Sequence, residues 1–137
     1  MDFKRGEILY DPNFIYPDGG KPCDKLLLVA NKNHRSPDDV VIIPAKTNTN
    51  KTPYKPDCNP NQRIFYFEKQ IGFYGAATII QLYHIDTKLC GELERLIKKG
   101  RLDRLNKSAT VEEFGRILNC LKAIARDIPG EIQDLIF

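Results

Sequence analysis

Two unbroken apolar runs, Leu26-Leu27-Leu28-Val29-Ala30 and Val40-Val41-Ile42-Ile43-Pro44-Ala45, constrain this chain more than any other feature. A continuous apolar run of that length, bounded by turn residues, reads as a β-strand buried on both faces. Between the two lies Asn31 to Pro37, a polar stretch with a Ser-Pro step that reads as a turn. The second run ends at Lys46-Thr47 and the first is preceded by Lys21 and Lys25, so cations and a hydroxyl gather beside one sheet edge.

The rest of the first half is also β in character. Ile8 to Tyr10 forms a short apolar segment, after which Pro12, Pro17, Gly19, Gly20 and Pro22 break the chain. Ile64 to Phe67 and Thr78 to Ile85 are rich in β-branched and aromatic residues and read as two further strands, with Gly72 and Gly75 marking a turn or bulge between them. From Asn48 to Gln62 the prolines and asparagines predict a long irregular excursion. Five strands with few crossover helices predict a small antiparallel barrel, since closure removes exposed edges.

After Ile85 the period changes. Asp86 is an expected N-cap for a helix whose apolar face is Leu89, Cys90, Leu93, Leu96 and Ile97, with Gly100 as its stop. A short final strand is expected at Arg101 to Leu105. Thr110 and Glu113 then have the spacing of a capping box, ahead of Val111, Phe114, Ile117, Leu118, Leu121 and Ile124 at helical steps. The apolar tail from Ile132 to Phe137 either docks on the barrel or meets another chain. The expected class is mainly β with C-terminal helices (α+β), as one domain over 1–137: barrel about 1–85 plus 100–106, helices about 86–99 and 110–127, tail 130–137.

A length of 137 residues is enough to bury a core without a metal or disulfide. No apolar run has the length of a membrane span, and the N-terminus lacks the apolar region of a signal peptide, so a cytoplasmic protein without membrane contact is expected. Cys23, Cys58, Cys90 and Cys120 stand about thirty residues apart with no Cys-x-x-Cys pair, which favours structural thiols over zinc ligands or a bridge framework.

Charge is informative only locally. From Lys46 to Lys69, the cations Lys46, Lys51, Lys55, Arg63 and Lys69 face only Asp57 and Glu68, which accounts for the whole net charge of +3. Tyr54 and Tyr66 interleave with them and are candidates for stacking on unpaired bases, as the cations are for phosphates; a solvated loop leading into an ordinary aromatic strand is the plainer alternative. Phe65 and Phe67 are expected in the core. His34 lies in the polar turn beside Arg35, where an imidazole suits acid–base work, although an exposed turn histidine is the plainer reading. His84 shares a strand face with Ile80 and Leu82 if alternation holds, and reads as a partly buried structural histidine.

Taken in order, these segments resemble the MazF/PemK family of toxin ribonucleases. Arg5-Gly6-Glu7-Ile8 is similar to the family's opening strand, and Gly19-Gly20 with a following cation and Leu26 to Val29 is similar to its glycine loop and second strand. Asn31, Arg35, Ser36 and Pro37 match its turn, and Ile43-Pro44-Ala45-Lys46-Thr47 the end of its third strand. Gly72-Phe73 and Ile79-Ile80-Gln81-Leu82 through Ile85-Asp86 fall where the family has its next strands. The resemblance reaches Lys122.

That resemblance implies an SH3-like barrel, shared with the gyrase poison CcdB, and a homodimer. It also implies a cognate antitoxin that occupies the RNA site. The implied activity is metal-independent and cofactor-free cleavage of single-stranded RNA, in which a ribose 2′-hydroxyl attacks the adjacent phosphate. The family's catalytic arginine after the glycine loop is here matched by Lys25, with Lys21 as the alternative; Thr47 matches the strand-end hydroxyl, and Arg35 is a further phosphate ligand candidate. Lys46, Lys51, Tyr54, Lys55, Arg63 and Tyr66 are the expected RNA-binding set. A non-catalytic nucleic-acid- or protein-binding barrel is the competing reading.

Overall fold

The computed structural model describes residues 1–16, 18–47, 54–67 and 77–137. The two apolar runs form β2 (Cys23–Val29) and β3 (Val40–Thr47), antiparallel with Leu27 opposite Pro44 and Val29 opposite Ile42. Successive side chains of a strand point to opposite faces, so each run feeds two cores. Leu28, Ala30, Val41, Ile43 and Ala45 pack with α2 (Val111–Ala123) and α3 (Gly130–Ile136), whereas Leu27, Val29, Val40 and Ile42 pack with Phe3, Leu9, Phe14 and the inner face of α1 (Cys90–Lys98). This double burial is why neither run carries a polar face.

The remaining strands are β1 (Glu7–Phe14), β4 (Asp57–Asn59), β5 (Ile64–Phe67), β6 (Thr78–Ile80), β7 (Asp86–Lys88) and β8 (Asp103–Ser108). They form one eight-stranded antiparallel sheet in the order β4-β5-β6-β3-β2-β1-β8, with β7 also paired to β3. The architecture is mainly antiparallel β with helices, α+β. The expected closure is not found: among the described residues β4 and β8 end the sheet without pairing to each other.

Both edges are held by other means. β4 is tied to α2 by a Cys58–Cys120 disulfide and by the Arg116–Asp57 ion pair. β8 is fixed to β1 by Arg104, whose Nε and Nη2 donate to the Glu7 carboxylate at 2.6 and 2.8 Å. A register slip opposite Glu7–Leu9 and the positive φ of Asn106 (54°) then distort β8 against further pairing.

Several expectations are corrected. The stretch 48–62 is not wholly irregular, since β4 lies within it; residues 48–53 lie outside the described residues, as do Gly72 and Gly75. The cysteines do include a bridge, between Cys58 and Cys120, while Cys23 and Cys90 remain thiols. A pairing across 62 residues of sequence leaves no trace in local spacing.

The strand expected over Thr78–Ile85 stops at Ile80, turns through a 3₁₀ segment at Leu82–His84, and resumes as β7. The break lies beside Pro44, which has no N–H to continue the ladder; the Gln81 amide donates to the Pro44 carbonyl at 2.9 Å. Asp86 is accordingly a strand residue and not a helix cap, and its carboxylate accepts the Thr87 amide at 2.8 Å. α1 begins after Leu89, which is 64% exposed instead of sharing the helix's buried face. The final strand runs Asp103–Ser108, later than expected.

The Thr110 capping box is present in both directions, with Glu113 N–H to Thr110 Oγ1 at 3.1 Å and Thr110 N–H to the Glu113 carboxylate at 2.9 Å. Val111 is 93% exposed, because it occupies the first helical position on the outer side. The tail docks: α3 places Ile132 and Ile136 in the main core, Lys32 N–H bonds to the Leu135 carbonyl at 2.9 Å, and Arg5 donates to the Ile136 carbonyl. No helix among the described residues is long and apolar enough to cross a membrane.

Candidate functional site

Lateral register across the sheet assembles the site. Tyr66 on β5 is opposite Ile79 on β6, and Ile79 is opposite Lys46 on β3. On the other side of β3, Leu26 is opposite Ala45, so one step further along both strands Lys25 and Lys46 come abreast, and Lys25 is in turn opposite Asp11 on β1. Neighbouring strands lie about 4.8 Å apart. Two ammonium-bearing residues are thus side by side in one row with a tyrosine. No described carboxylate pairs with Lys25, Lys46 or Arg63. The Lys25 ammonium lies 5.4 Å from the centre of the Tyr16 ring, an aromatic contact in place of an ion pair.

A hollow of about 400 Å³ opens at this end of the sheet, lined by Tyr10, Asp24, Lys25, Leu26, Ala45, Lys46 and Thr47. Lys25 and Thr47 therefore border one depression, although alternation turns their side chains to opposite faces of the sheet. Lys46 and Thr47 are exposed, so the polar end of β3 is open to a ligand.

The other expected residues are distributed unevenly. Tyr54 and Tyr66 lie with ring centres 6.1 Å apart, both half-buried, and Lys55, next to Tyr54 in sequence, is exposed. Arg63 is exposed at the turn leading into β5, with φ 54°. Lys51 lies outside the described residues, as does Lys69. Lys21 is exposed in the loop after Gly19 and Gly20, whose φ values of 93° and 110° suit glycine, and it does not line the hollow.

Arg35 is separated from this group. It lies in the turn before Val40, at the opposite end of β3 from Lys46, a span of roughly 20 Å at 3.3 Å per residue. His34 beside it is buried and structural: Nδ1 accepts the Phe3 amide at 3.1 Å, which leaves Nε2 to donate to the Asp38 carbonyl at 2.8 Å. The turn histidine is therefore neither exposed nor available for chemistry.

The second histidine is the residue that sequence reasoning passed over. The 3₁₀ turn takes His84 out of a strand and sets its ring between Tyr16 and Tyr83, with ring centres 4.4 Å away in each case. Gln81, 2% exposed, braces both tyrosines: the Tyr16 hydroxyl donates to Gln81 Oε1 at 3.1 Å, and Gln81 Nε2 donates to the Tyr83 hydroxyl at 2.9 Å. No described residue bonds to the His84 ring nitrogens. Burial first, then the positive charges of Lys25, Arg63 and Lys46, lower its pKa from 6.5, against an opposing pull from Asp18. A Tyr83-His84 pair two residues after the polar Gln81 was the available signal.

The assembly is a basic, aromatic surface with one imidazole at its margin. The cations can hold phosphates and Tyr66 with Tyr54 can stack on bases. Among the described residues no three His, Cys, Asp or Glu side chains cluster closely enough to hold a metal ion. No protein-family model matches the chain, and neither does any curated protein sequence.

Proposed function

We propose that this chain is an endoribonuclease of MazF/PemK type, cutting single-stranded RNA without metal by attack of a ribose 2′-hydroxyl on the adjacent phosphate. The observation that carries the reading is the alignment of Lys25 and Lys46 across β2 and β3, with no described carboxylate paired to either, at the border of an open hollow. In this role Lys25 and Lys46 neutralise the phosphate as it becomes pentavalent and Tyr66 stacks on a neighbouring base, while the Thr47 hydroxyl, turned to the opposite face, is left out of the phosphate site. The open eight-stranded sheet is, on this reading, a splayed relative of the SH3-like barrel. A homodimer in the cytoplasm, silenced by an acidic antitoxin laid over the same cations, completes the proposal.

Incubating the full chain with mixed single-stranded RNAs in the presence of a chelator tests it. Cleavage leaving 2′,3′-cyclic phosphate ends is expected, and intact RNA at every sequence tried would reject the activity.

A second reading, RNA binding without cleavage, is favoured by one residue. Lys25 stands where the resemblance calls for arginine, and an ammonium lacks the two-pronged geometry of guanidinium toward phosphate. Tight binding of RNA that stays intact over hours would select it.

A further inference from the structure

Chemistry at a ribose hydroxyl requires a proton acceptor. Among the described residues two histidines are present, and they differ in one decisive respect. Both ring nitrogens of His34 are committed to backbone groups, whereas those of His84 have no described partner. His84 is also the histidine beside the cationic row: the Tyr16 ring that lies 4.4 Å from its own is the ring beneath the Lys25 ammonium.

We propose that His84 is the general base of the site, taking the proton from the ribose 2′-hydroxyl of an RNA whose phosphate is held by Lys25 and Lys46. This rests on the ribonuclease reading. In the step, the 2′-oxygen forms a bond to phosphorus as its proton passes to the imidazole, and the bond from phosphorus to the 5′-oxygen breaks. The departing 5′-oxygen takes a proton from the Lys25 ammonium or from water, so that cyclic phosphate and 5′-hydroxyl ends result.

The surroundings suit the role. Tyr16 and Tyr83 fix the ring plane, and Gln81 fixes the tyrosines. The charged groups facing the imidazole are Asp18 from the β1–β2 loop, Lys25 from β2, Lys46 from β3 and Arg63 from the turn before β5. Burial first, then the three cations against the one carboxylate, lower the ring's pKa from 6.5 and favour the unprotonated form that can accept. An incoming phosphodiester offsets those cations and raises the basicity of the ring at the moment it is needed.

The test compares the full chain with its His84→Asn and His84→Gly variants by single-turnover cleavage of a labelled single-stranded RNA from pH 5 to 9. Binding of the same RNA carrying 2′-O-methyl riboses is measured in parallel. The parent chain is expected to gain rate with pH through a midpoint below 6.5. His84→Asn should lose about a hundred to ten thousand-fold in rate together with that limb of the profile. Binding at pH 7.5 should stay within about threefold, since a neutral ring contributes no charge there. Free imidazole should restore part of the rate to His84→Gly.

If the parent chain cleaves and His84→Asn retains both its rate and its pH profile, the assignment is overturned while the nuclease reading stands. A loss of binding equal to the loss of rate would likewise overturn it, because the residue would then be part of the binding surface only. If the parent chain cleaves no RNA, the nuclease reading falls and the assignment with it.

Discussion

Cys58 and Cys120 are covalently joined, which fastens the short edge strand β4 to the last turn of α2. The bridge spans 62 residues of sequence, and a loop of that size removes enough freedom from the unfolded chain to stabilise the fold by about 4 kcal/mol in the chain-entropy account. Urea melts with and without a dithiol reductant should differ by a stabilisation of that order, and Cys58→Ala with Cys120→Ala should reproduce the reduced midpoint. Coincident curves would mean that the pairing of β4 with β5 and the Arg116–Asp57 ion pair hold the strand without help from the bridge.

The cationic row and the distant turn make opposite forecasts for RNA. Lys25→Ala and Lys46→Ala should each weaken single-strand binding and lower the slope of log affinity against log salt by about 0.7, the amount for one phosphate contact. Arg35→Ala, at the far end of β3, should leave affinity and slope unchanged. A matching loss from Arg35 would show that the bound strand takes another route across the protein.

His84 gives a pH forecast whose direction follows from its environment. Its folded pKa is lowered from 6.5, so the unfolded chain binds the proton more readily between the lowered value and 6.5. The associated stability is fully present above 6.5 and is lost as pH falls through that window. Melting temperatures taken at pH 7.5 and pH 5 should therefore fall further for the parent chain than for His84→Asn. Equal falls would contradict the described surroundings of the ring.

Asn31 predicts a purely structural loss. It is buried, its Oδ1 accepts the Val41 amide at 2.7 Å, and its Nδ2 donates to the Asp39 carbonyl at 2.9 Å. Asn31→Leu strands two backbone groups and should cost about 1–3 kcal/mol for each. Chemical denaturation reads this directly, with RNA affinity of the remaining folded protein unaffected.

The docked tail forecasts a loss of stability. Ile136 is almost wholly enclosed in the main core, so Ile136→Ala should destabilise by about 2–5 kcal/mol. A shift in oligomeric size at unchanged stability, read by light scattering alongside the melt, would move the tail's role to an interface.

How far the fold was legible depended on whether the determining residues were neighbours in sequence. The two apolar runs, the aromatic strand Ile64–Phe67 and the Thr110–Glu113 box are local patterns, and each appears in the structure as a matching element. What misled was set by distant partners. Asp86 looks like a cap until Ile42 is seen opposite it, Leu89 looks like a core residue until β7 delays the helix, and Cys58 looks free until α2 supplies Cys120. The site followed the same division: Lys25, Lys46 and Thr47 were readable as the ends of two strands. His84 was not, because Pro44 on another strand decides where its own strand breaks.

Between Val40 and Ala45, β3 is enclosed by apolar side chains on both faces, and immediately afterwards Lys46 and Thr47 emerge into solvent. The polar end of the strand is a cantilever clamped in the least deformable part of the molecule. Its backbone is preorganised before any ligand arrives, so an incoming anion has only the flexible lysine side chains left to order, and little of its binding energy is diverted to reshaping the protein.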